Sequence, residues 1–262
     1  MSTRRNVSPG GALTARSVLA SVLLGTEPPW LPTPLLVRTA AMFGISEGST
    51  RTALSRMAGA GEVVAEDGGY RLAGRLVARQ ARQASSRRAE VRPWDGTWEL
   101  ATVDSDTARS AADRAALRDA LRTLRLAEVR EGVWARPDNL DPGRSPDARA
   151  VATQWCHCWS GAVPTPAPNA GDLWDLDGWA AQAQRLRADM ARLGPNLDAG
   201  DAAQLAPGFV TSAAVLRHLQ ADPLLPEELA PADWPGQALR RDYDRYDAAY
   251  RAVLRTWFEA AG

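Results

Sequence analysis

The chain has 262 residues, of which 45% are hydrophobic and 24% are charged, and it contains two cysteines. This composition excludes collagenous, intrinsically disordered and disulfide-scaffold proteins. The 31 cationic and 31 acidic side chains balance, yet residues 1–90 contain 12 arginines and 6 acidic residues, whereas residues 91–262 contain 19 arginines and 25 acidic residues. The positive N-terminal third therefore predicts contact with a polyanion.

The cysteines and the apolar segments indicate where the protein acts. Cys156 and Cys158 lie two residues apart, too close for an unstrained disulfide in an extended segment, which favours a reducing cytoplasm. The longest mainly apolar run near the start, residues 18–24, has seven residues including Ser21, whereas a membrane span needs about 20. Arg4 and Arg5 faintly resemble the start of a signal peptide, but no small-residue cleavage site follows. We predict a cytoplasmic protein with no export signal and no membrane span.

The N-terminal third carries the clearest local pattern. Apolar side chains at helical spacing predict helices over residues 14–24, 33–43 and 46–57. The turn between the second and third helices has only about three residues, which is typical of a helix-turn-helix motif. Strands at 62–66 and 70–72 flank Asp67, Gly68 and Gly69, where glycine permits a tight hairpin turn. Together these elements predict a winged helix-turn-helix.

The third helix has a polar side suited to reading DNA bases. On a helical wheel one side carries Thr50, Ala53, Leu54, Met57 and Ala58, and the opposite side carries Ser49, Thr52, Ser55 and Arg56. Hydroxyl groups can bond several base edges, and arginine binds guanine O6 and N7 as a bidentate donor. Ser49, Thr52 and Arg56 are therefore the predicted base-reading residues, and Ser55 belongs to the same DNA-binding face.

Arginines beside this face are expected to contact the DNA backbone. Arg51 lies on the flank of the helix, where a phosphate or an internal carboxylate is its expected partner. The wing has an acidic tip at Glu66 and Asp67, so only Arg71, with Arg75 as a further candidate, is expected to contact DNA there. Each of these residue types also occurs on the solvated side of an ordinary amphipathic helix. The combination of three helices and a hairpin on a positive segment favours DNA binding.

Residues 91–163 have the pattern of a ferredoxin-like domain. After a helical or mobile connector at 75–92, the sequence predicts a strand at 98–103, a helix at 111–124, strands at 127–130 and 133–136, and a last strand at 151–160. A polar, proline-bearing linker precedes the last strand, and the second helix of the fold is only weakly indicated. The order β-α-β-β-(α)-β predicts a ferredoxin-like half-barrel.

Two groups of residues in this domain have metal-binding chemistry. Cys156, His157 and Cys158 are zinc-ligand types, but alternation along a strand directs His157 away from the cysteines, which favours small buried thiols in a sheet. Asp104 and Asp106, at the end of the first strand, would suit Mg²⁺ in a nuclease, although carboxylates at strand ends are usually helix caps. We predict no metal site and no enzymatic activity.

The C-terminal third is predicted to be helical, with helices over residues 179–193, 211–221 and 237–260. A proline- and alanine-rich linker at 164–171 precedes them. Residues 222–236 contain four prolines, which remove amide donors and fix φ, so an extended segment is expected there. The sequence thus predicts an α+β protein with domains at residues 1–90, 91–163 and 164–262.

Segments in all three domains resemble one protein family. The most specific is DPLLPEELAPADWPG at residues 222–236, supported by STRTALSRM at residues 49–57 and WDGTW at residues 94–98. These segments resemble the PaaX-like transcriptional repressors of phenylacetic acid catabolism. The resemblance implies a homodimer with an N-terminal winged helix, a middle domain similar to the small CRISPR-associated ferredoxin-like nucleases, and a helical C-terminal domain. The best-known members release DNA on binding phenylacetyl-CoA.

Three functions are open to such a chain. The first is an effector-released repressor of a catabolic operon that binds an inverted-repeat operator as a homodimer. Its acyl-CoA effector needs basic groups for the phosphates and an apolar slot for the acyl chain, and Arg118 and Arg122 beside the tryptophans of the middle domain are the candidates. The second is a constitutive DNA-binding or adaptor protein without a small ligand. The third is a metal-dependent nuclease that uses Asp104. No cofactor other than the acyl-CoA effector is predicted.

Overall fold

The structure is a computed structural model that describes residues 14–104 and 108–260. It divides into two compact units, of which the first contains the residues up to Ala81 together with those from Phe258 onward, and the second contains Arg82–Trp257. In the described part of the chain, no helix is both long enough and apolar enough to span a bilayer. Arg4, Arg5 and Asp106, which the sequence predictions considered, lie outside the described residues.

Three helices build the first unit, as predicted: α1 (Ala15–Gly25), α2 (Thr33–Ala41) and α3 (Glu47–Gly59). Thr14 and Ser46 cap α1 and α3, each accepting a hydrogen bond from the backbone N–H three residues ahead. The turn between α2 and α3 covers residues 42–46 and contains Gly44, whose φ of 71° lies in the left-handed region that favours glycine. The apolar stripes bury Leu19, Leu23, Leu36 and Leu54 completely.

A three-stranded antiparallel sheet forms the wing. Its strands are β1 (Trp30–Pro32), β2 (Val63–Glu66) and β3 (Gly69–Leu72), in the order β1-β3-β2. Asp67 and Gly68 both have positive φ, as in the two-residue turns that match the twist of a hairpin. Gly69 is needed because a Cβ there would overlap the carbonyl of Leu31 on β1. The hairpin was predicted, whereas β1 was not, since a three-residue strand among prolines has no alternation of its own.

The ferredoxin-like prediction for the middle of the chain is confirmed. Helix α4 (Arg75–Arg88) is the connector, and it is followed by β4 (Trp98–Val103), α5 (Ala111–Thr123), β5 (Ala127–Arg130), β6 (Val133–Pro137), α6 (Pro146–Trp155) and β7 (Cys156–Ala162). The sheet order is β5-β6-β4-β7, and β4 pairs antiparallel with both β6 and β7. The core contains Ala101, Leu117, Leu121, Leu124, Leu126, Trp134, Ala152 and Cys156.

The predicted last strand at residues 151–160 starts too early. Helix α6 runs to Trp155, and β7 begins only at Cys156. Pro146 and Asp147 occupy the first turn of α6, where proline fits without losing a hydrogen bond and an acidic side chain favours the helix dipole. Ala152 and Trp155 then pack against the core from this helix. A short apolar run does not by itself distinguish a buried helix from a strand.

The C-terminal part is helical, as predicted, with α7 (Ala170–Leu173), α8 (Leu176–Asp198), α9 (Leu205–Gln220) and α10 (Gly236–Glu259). Tyr246 and Tyr250 of α10 donate hydrogen bonds to the carbonyls of Gly208 and Leu205 on α9, which ties the two helices together. Helix α9 therefore starts at Leu205 rather than at the predicted residue 211.

The proline-rich segment at residues 222–235 forms neither helix nor strand, as predicted. It is held at both ends by side-chain contacts. Trp234 stacks on Trp179 of α8, with ring centroids 4.4 Å apart. Asp222 forms a buried ion pair with Arg240 of α10, at 2.7 Å. The segment is thus fastened to α8 and α10 at its two ends, and residues in its middle are exposed.

Candidate DNA-binding surface and arginine-lined cleft

Helix α3 has one buried side and one exposed side. Thr50, Leu54 and Met57 are at most 1% exposed, and the Thr50 hydroxyl donates a hydrogen bond to the Ser46 carbonyl at 3.0 Å. The residues predicted to contact DNA, Ser49, Arg51, Thr52, Ser55 and Arg56, are all exposed. The side of α3 that faces solvent therefore carries hydroxyl and guanidinium groups, and their contact with DNA stays a prediction.

The two arginines of α3 differ in their partners. Arg51 Nε donates to Glu47 Oε1 at 2.8 Å, and both side chains are 60% exposed. A carboxylate was one of the two partners expected for Arg51. No residue in the described ranges forms an ion pair or a side-chain hydrogen bond with Arg56. The Arg56 guanidinium group is thus available to a base or to a phosphate.

The wing arginine is held by its neighbour. Arg71 donates from Nε and Nη2 to the Glu66 carboxylate at 2.9 and 2.8 Å. These hydrogen bonds lower the pKa of Glu66 and raise the pKa of Arg71, so both groups are charged at neutral pH. The charges of Arg71 and Glu66 therefore compensate each other, and the acidic Asp67 lies next to them at the turn.

Arg75, the further wing candidate, has a structural role. Glu62, immediately before β2, has a side chain that is only 1% exposed, and Arg16 of α1 donates to it from Nε and Nη2 at 2.8 and 2.6 Å. Arg75 donates to the same carboxylate. The hydrogen bond from Arg16, with a further contribution from Arg75, lowers the pKa of Glu62 to about 2. This buried carboxylate joins α1, the start of the wing and α4.

A cleft of about 700 Å³ opens within the second unit. Its lining includes the arginines Arg82, Arg122, Arg125, Arg144 and Arg217, the acidic residues Asp119 and Glu128, and the tryptophans Trp134 and Trp174. Arg122, one of the two predicted effector-binding residues, lines this cleft, whereas Arg118 lies outside it and is exposed. The cleft brings together basic and aromatic side chains from segments that are far apart in the sequence.

Arg125 and Arg144 were not selected from the sequence. Arg125 was one arginine in an arginine-rich stretch, and Arg144 lay in a segment read as a polar linker. What distinguishes them is burial away from carboxylates, which depends on how α4, α5 and the proline-rich segment fold together. The local sequence carried no signal of that environment.

The described residues that were considered for metal binding do not come together as a metal site. Among the residues that the structure describes, no group of three or more His, Cys, Asp or Glu side chains is placed to hold an ion. Cys156 is buried and Cys158 is exposed, so the prediction of buried thiols is right for Cys156 only. Burial raises the pKa of the Cys156 thiol to about 11, which disfavours the thiolate that metals bind. Asp104 lies after β4 and accepts a hydrogen bond from Arg109 through its carbonyl.

The three helices and the wing of the first unit define a protein of the winged helix-turn-helix class. Residues 14–76 match the family described as PaaX-like protein, residues 91–161 match the PaaX protein central Cas2-like domain, and residues 174–260 match the PaaX-like protein C-terminal domain. The chain therefore belongs to the PaaX-like family, as the sequence resemblance implied, and it is a PaaX-like regulator.

One solved structure extends this similarity over almost the whole chain. The uncharacterized protein Rv0674 from Mycobacterium tuberculosis is 44% identical, with a TM-score of 0.68, and the match covers 92% of this chain and 97% of that one. No curated protein matches the chain. The similarity supports the family assignment and carries no functional description of its own.

Proposed function

We propose that this protein is a transcriptional repressor that binds operator DNA as a homodimer and releases it when an aryl-CoA thioester such as phenylacetyl-CoA binds. Membership of a regulator family supports the role in transcription. The exposed polar side of α3 is the observation that carries the DNA-binding part. In this proposal residues 1–90 bind DNA, and the domains at residues 91–163 and 164–262 contact the effector and the second subunit. The protein acts in the cytoplasm and catalyses no reaction.

Helix α3 is proposed to enter the major groove of the operator. Ser49, Thr52 and Ser55 would meet base edges through their hydroxyls, and Arg56 would bind a guanine as a bidentate donor. Arg51 and Arg71 are proposed to contact phosphates, with a smaller effect because each already has a carboxylate partner. In a symmetric dimer the two α3 helices would lie about 34 Å apart on an inverted repeat, which is one turn of DNA.

The effector is proposed to bind in the cleft of the second unit. Arg122 lines this cleft, and Arg118 lies one helical turn before it on α5. Trp134 and Trp174 add apolar surface to the same lining. The proposal therefore assigns the charged part of the thioester to the arginines and its aryl part to the tryptophans.

The test is a fluorescence-anisotropy titration of the purified protein with DNA from its own upstream intergenic region, with and without phenylacetyl-CoA. Nanomolar, salt-sensitive binding is expected, because arginines displace counterions from phosphates, and phenylacetyl-CoA is expected to abolish it. A scrambled duplex of equal length is the control. Equal affinity for both duplexes would refute the repressor, whereas specific binding that the thioester leaves unchanged would refute only the effector.

A further inference from the structure

The cleft of the second unit contains more cationic than acidic groups. Five arginines and two acidic residues are in its lining. One acidic residue, Asp119, already lies 3.9 Å from Arg122. Two of the five arginines, Arg125 and Arg144, come from the turn after α5 and from the segment before α6.

Arg125 is held deep in this lining and forms no ion pair with a described residue. Its backbone has a φ of 67°, in the left-handed region, and its side chain is more than nine-tenths buried. Nη2 donates to the Ser86 hydroxyl at 3.1 Å, whereas the buried Nε has no hydrogen-bond partner in the described ranges. Burial lowers the pKa of Arg125 to about 10; the charges of Arg144 and Arg240 add to this effect, and the charge of Asp222 opposes it. The Nε–H group of the Arg125 guanidinium therefore lacks a hydrogen-bond acceptor.

Arg144 is also without a carboxylate of its own. It is partly buried, and within the described residues no ion pair or side-chain hydrogen bond is formed by its guanidinium group. Burial lowers the pKa of Arg144, and the charge of Arg240 adds to this effect against the opposing charges of Glu90 and Asp222. Both of those carboxylates are already engaged.

The two acidic groups whose charges act on Arg144 have other partners. Glu90 pairs with Arg88 at 2.7 Å, and Asp222 pairs with Arg240 at 2.7 Å in the interior of the unit. Arg136, which is completely buried, donates only to carbonyl oxygens and to Asn139. Buried charges are normally paired because water no longer stabilises them. Among the described residues, neither Arg125 nor Arg144 therefore has an ion-pair partner.

We propose, resting on the effector site of the proposed function, that Arg125 and Arg144 rather than Arg118 and Arg122 form the oxyanion-binding part of this cleft and take the phosphate group of the ligand. Guanidinium groups match phosphate oxygens in geometry and charge, and a phosphate would give Arg125 Nε and the Arg144 guanidinium group their acceptors. The cleft is much larger than a phosphate, and Trp134, Leu173 and Pro223 add apolar surface to its lining. The ligand therefore combines a phosphate with an apolar or aromatic part.

The experiment is a calorimetric titration of the full chain, in the absence of DNA and at constant ionic strength, with phenyl phosphate, inorganic phosphate and phenylacetate. Phenyl phosphate is expected to bind at least tenfold more tightly than inorganic phosphate, and phenylacetate is expected to bind most weakly. Absence of phosphate binding at millimolar concentrations, or equal affinity for phenylacetate and phenyl phosphate, would overturn the proposal.

Arg144→Ala and Arg241→Ala form the matched pair of variants, because each removes one arginine of the second unit and Arg241 is exposed outside the cleft. Arg144→Ala is expected to weaken phenyl phosphate binding at least tenfold. Without ligand, the melting temperature of this variant should be no lower than that of the wild type, because the substitution removes a partly buried charge that has no ion-pair partner. Arg241→Ala is expected to change the affinity less than twofold. Equal effects of the two variants on affinity would contradict the assignment. Because DNA is absent, the titration tests the effector site alone, and its failure would leave the DNA-binding part of the proposed function intact.

Discussion

Helix α3 and the wing are neighbours in the chain, but their arginines are in different states. In the wing, Arg71 donates twice to Glu66, at 2.9 and 2.8 Å. On α3, Arg56 has no ionic partner among the residues that are described. Bound DNA would therefore have to displace a carboxylate to contact Arg71, whereas a base could contact Arg56 without such a displacement. We expect DNA affinity to depend on the helix more than on the wing.

This difference shows that charge counted along a sequence is not the same as charge available to a ligand. Residues 1–90 have 12 arginines against 6 acidic residues. Arg16 and Arg75 are nevertheless bound to Glu62, and Arg51 is bound to Glu47. The positive charge that the composition predicts for DNA is thus concentrated on fewer side chains than the count indicates.

The largest expected effect separates the two sides of α3. Leu54→Ala removes a fully buried side chain and leaves a cavity, so the free energy of unfolding should fall by about 2–5 kcal/mol. Ser55→Ala, at the adjacent exposed position, is the control and should change it by less than about 0.5 kcal/mol. Urea denaturation of both variants measures the difference. Equal stabilities would show that α3 is not packed as described.

The next effect concerns the carboxylate that joins the wing to the helices. Glu62→Gln should lower the free energy of unfolding by about 1–3 kcal/mol, because a buried group loses charged hydrogen bonds. The pKa of Glu62 falls from 4.5 to about 2 on folding. Its contribution is therefore complete above about pH 5 and is lost as the pH falls toward 2.

Denaturation from pH 7 to pH 2 checks this prediction. The wild type should lose more stability across that interval than Glu62→Gln does. Glu47→Gln, which removes an exposed carboxylate of an ion pair on the same unit, is the control and should follow the wild-type curve. Parallel curves for the wild type and Glu62→Gln would contradict the assigned role of Glu62.

The third effect is on DNA binding. Arg56→Ala should weaken binding to the operator by about 1–3 kcal/mol and relax the preference for it over a scrambled duplex, because a base contact is lost. Arg51→Ala should weaken binding to both duplexes alike, since a phosphate contact carries no sequence information. Anisotropy titrations of the two variants against both duplexes test this. The same change in preference for both variants would refute the separate roles.

The sequence predicted those parts of the fold that have local signals. Ser46 identifies the start of α3 by its capping side chain, and the Asp67-Gly68 turn identifies the hairpin. Strand β1 lacks such a signal, and helix α6 has only Pro146 and Asp147 at its start, in a segment that was predicted to be a linker. Strand β1 is defined by its pairing with β3, and helix α6 by the packing of Ala152 in the core. Both depend on contacts between distant segments.

The candidate sites divide in the same way. The polar side of α3 follows from helical spacing alone, so its exposure was predictable. The partners of Arg71 and Arg56 were not, because spacing along a helix or strand does not say which carboxylate an arginine reaches. Arg125 and Arg144 are the clearest case, since their uncompensated charge results from the partners that Asp222 and Glu90 take elsewhere.

The smallest expected effect tests the wing itself. Arg71→Ala should change operator affinity less than twofold, because the side chain that it removes is already bound to Glu66. Glu66→Gln should instead strengthen binding and steepen its salt dependence by about one ion, since it leaves Arg71 charged and without its carboxylate. Anisotropy titrations over a series of salt concentrations measure both. If Arg71→Ala weakened binding as much as Arg56→Ala does, the ion pair between Arg71 and Glu66 would have to open on DNA. The wing would then contribute as much to DNA affinity as α3 does.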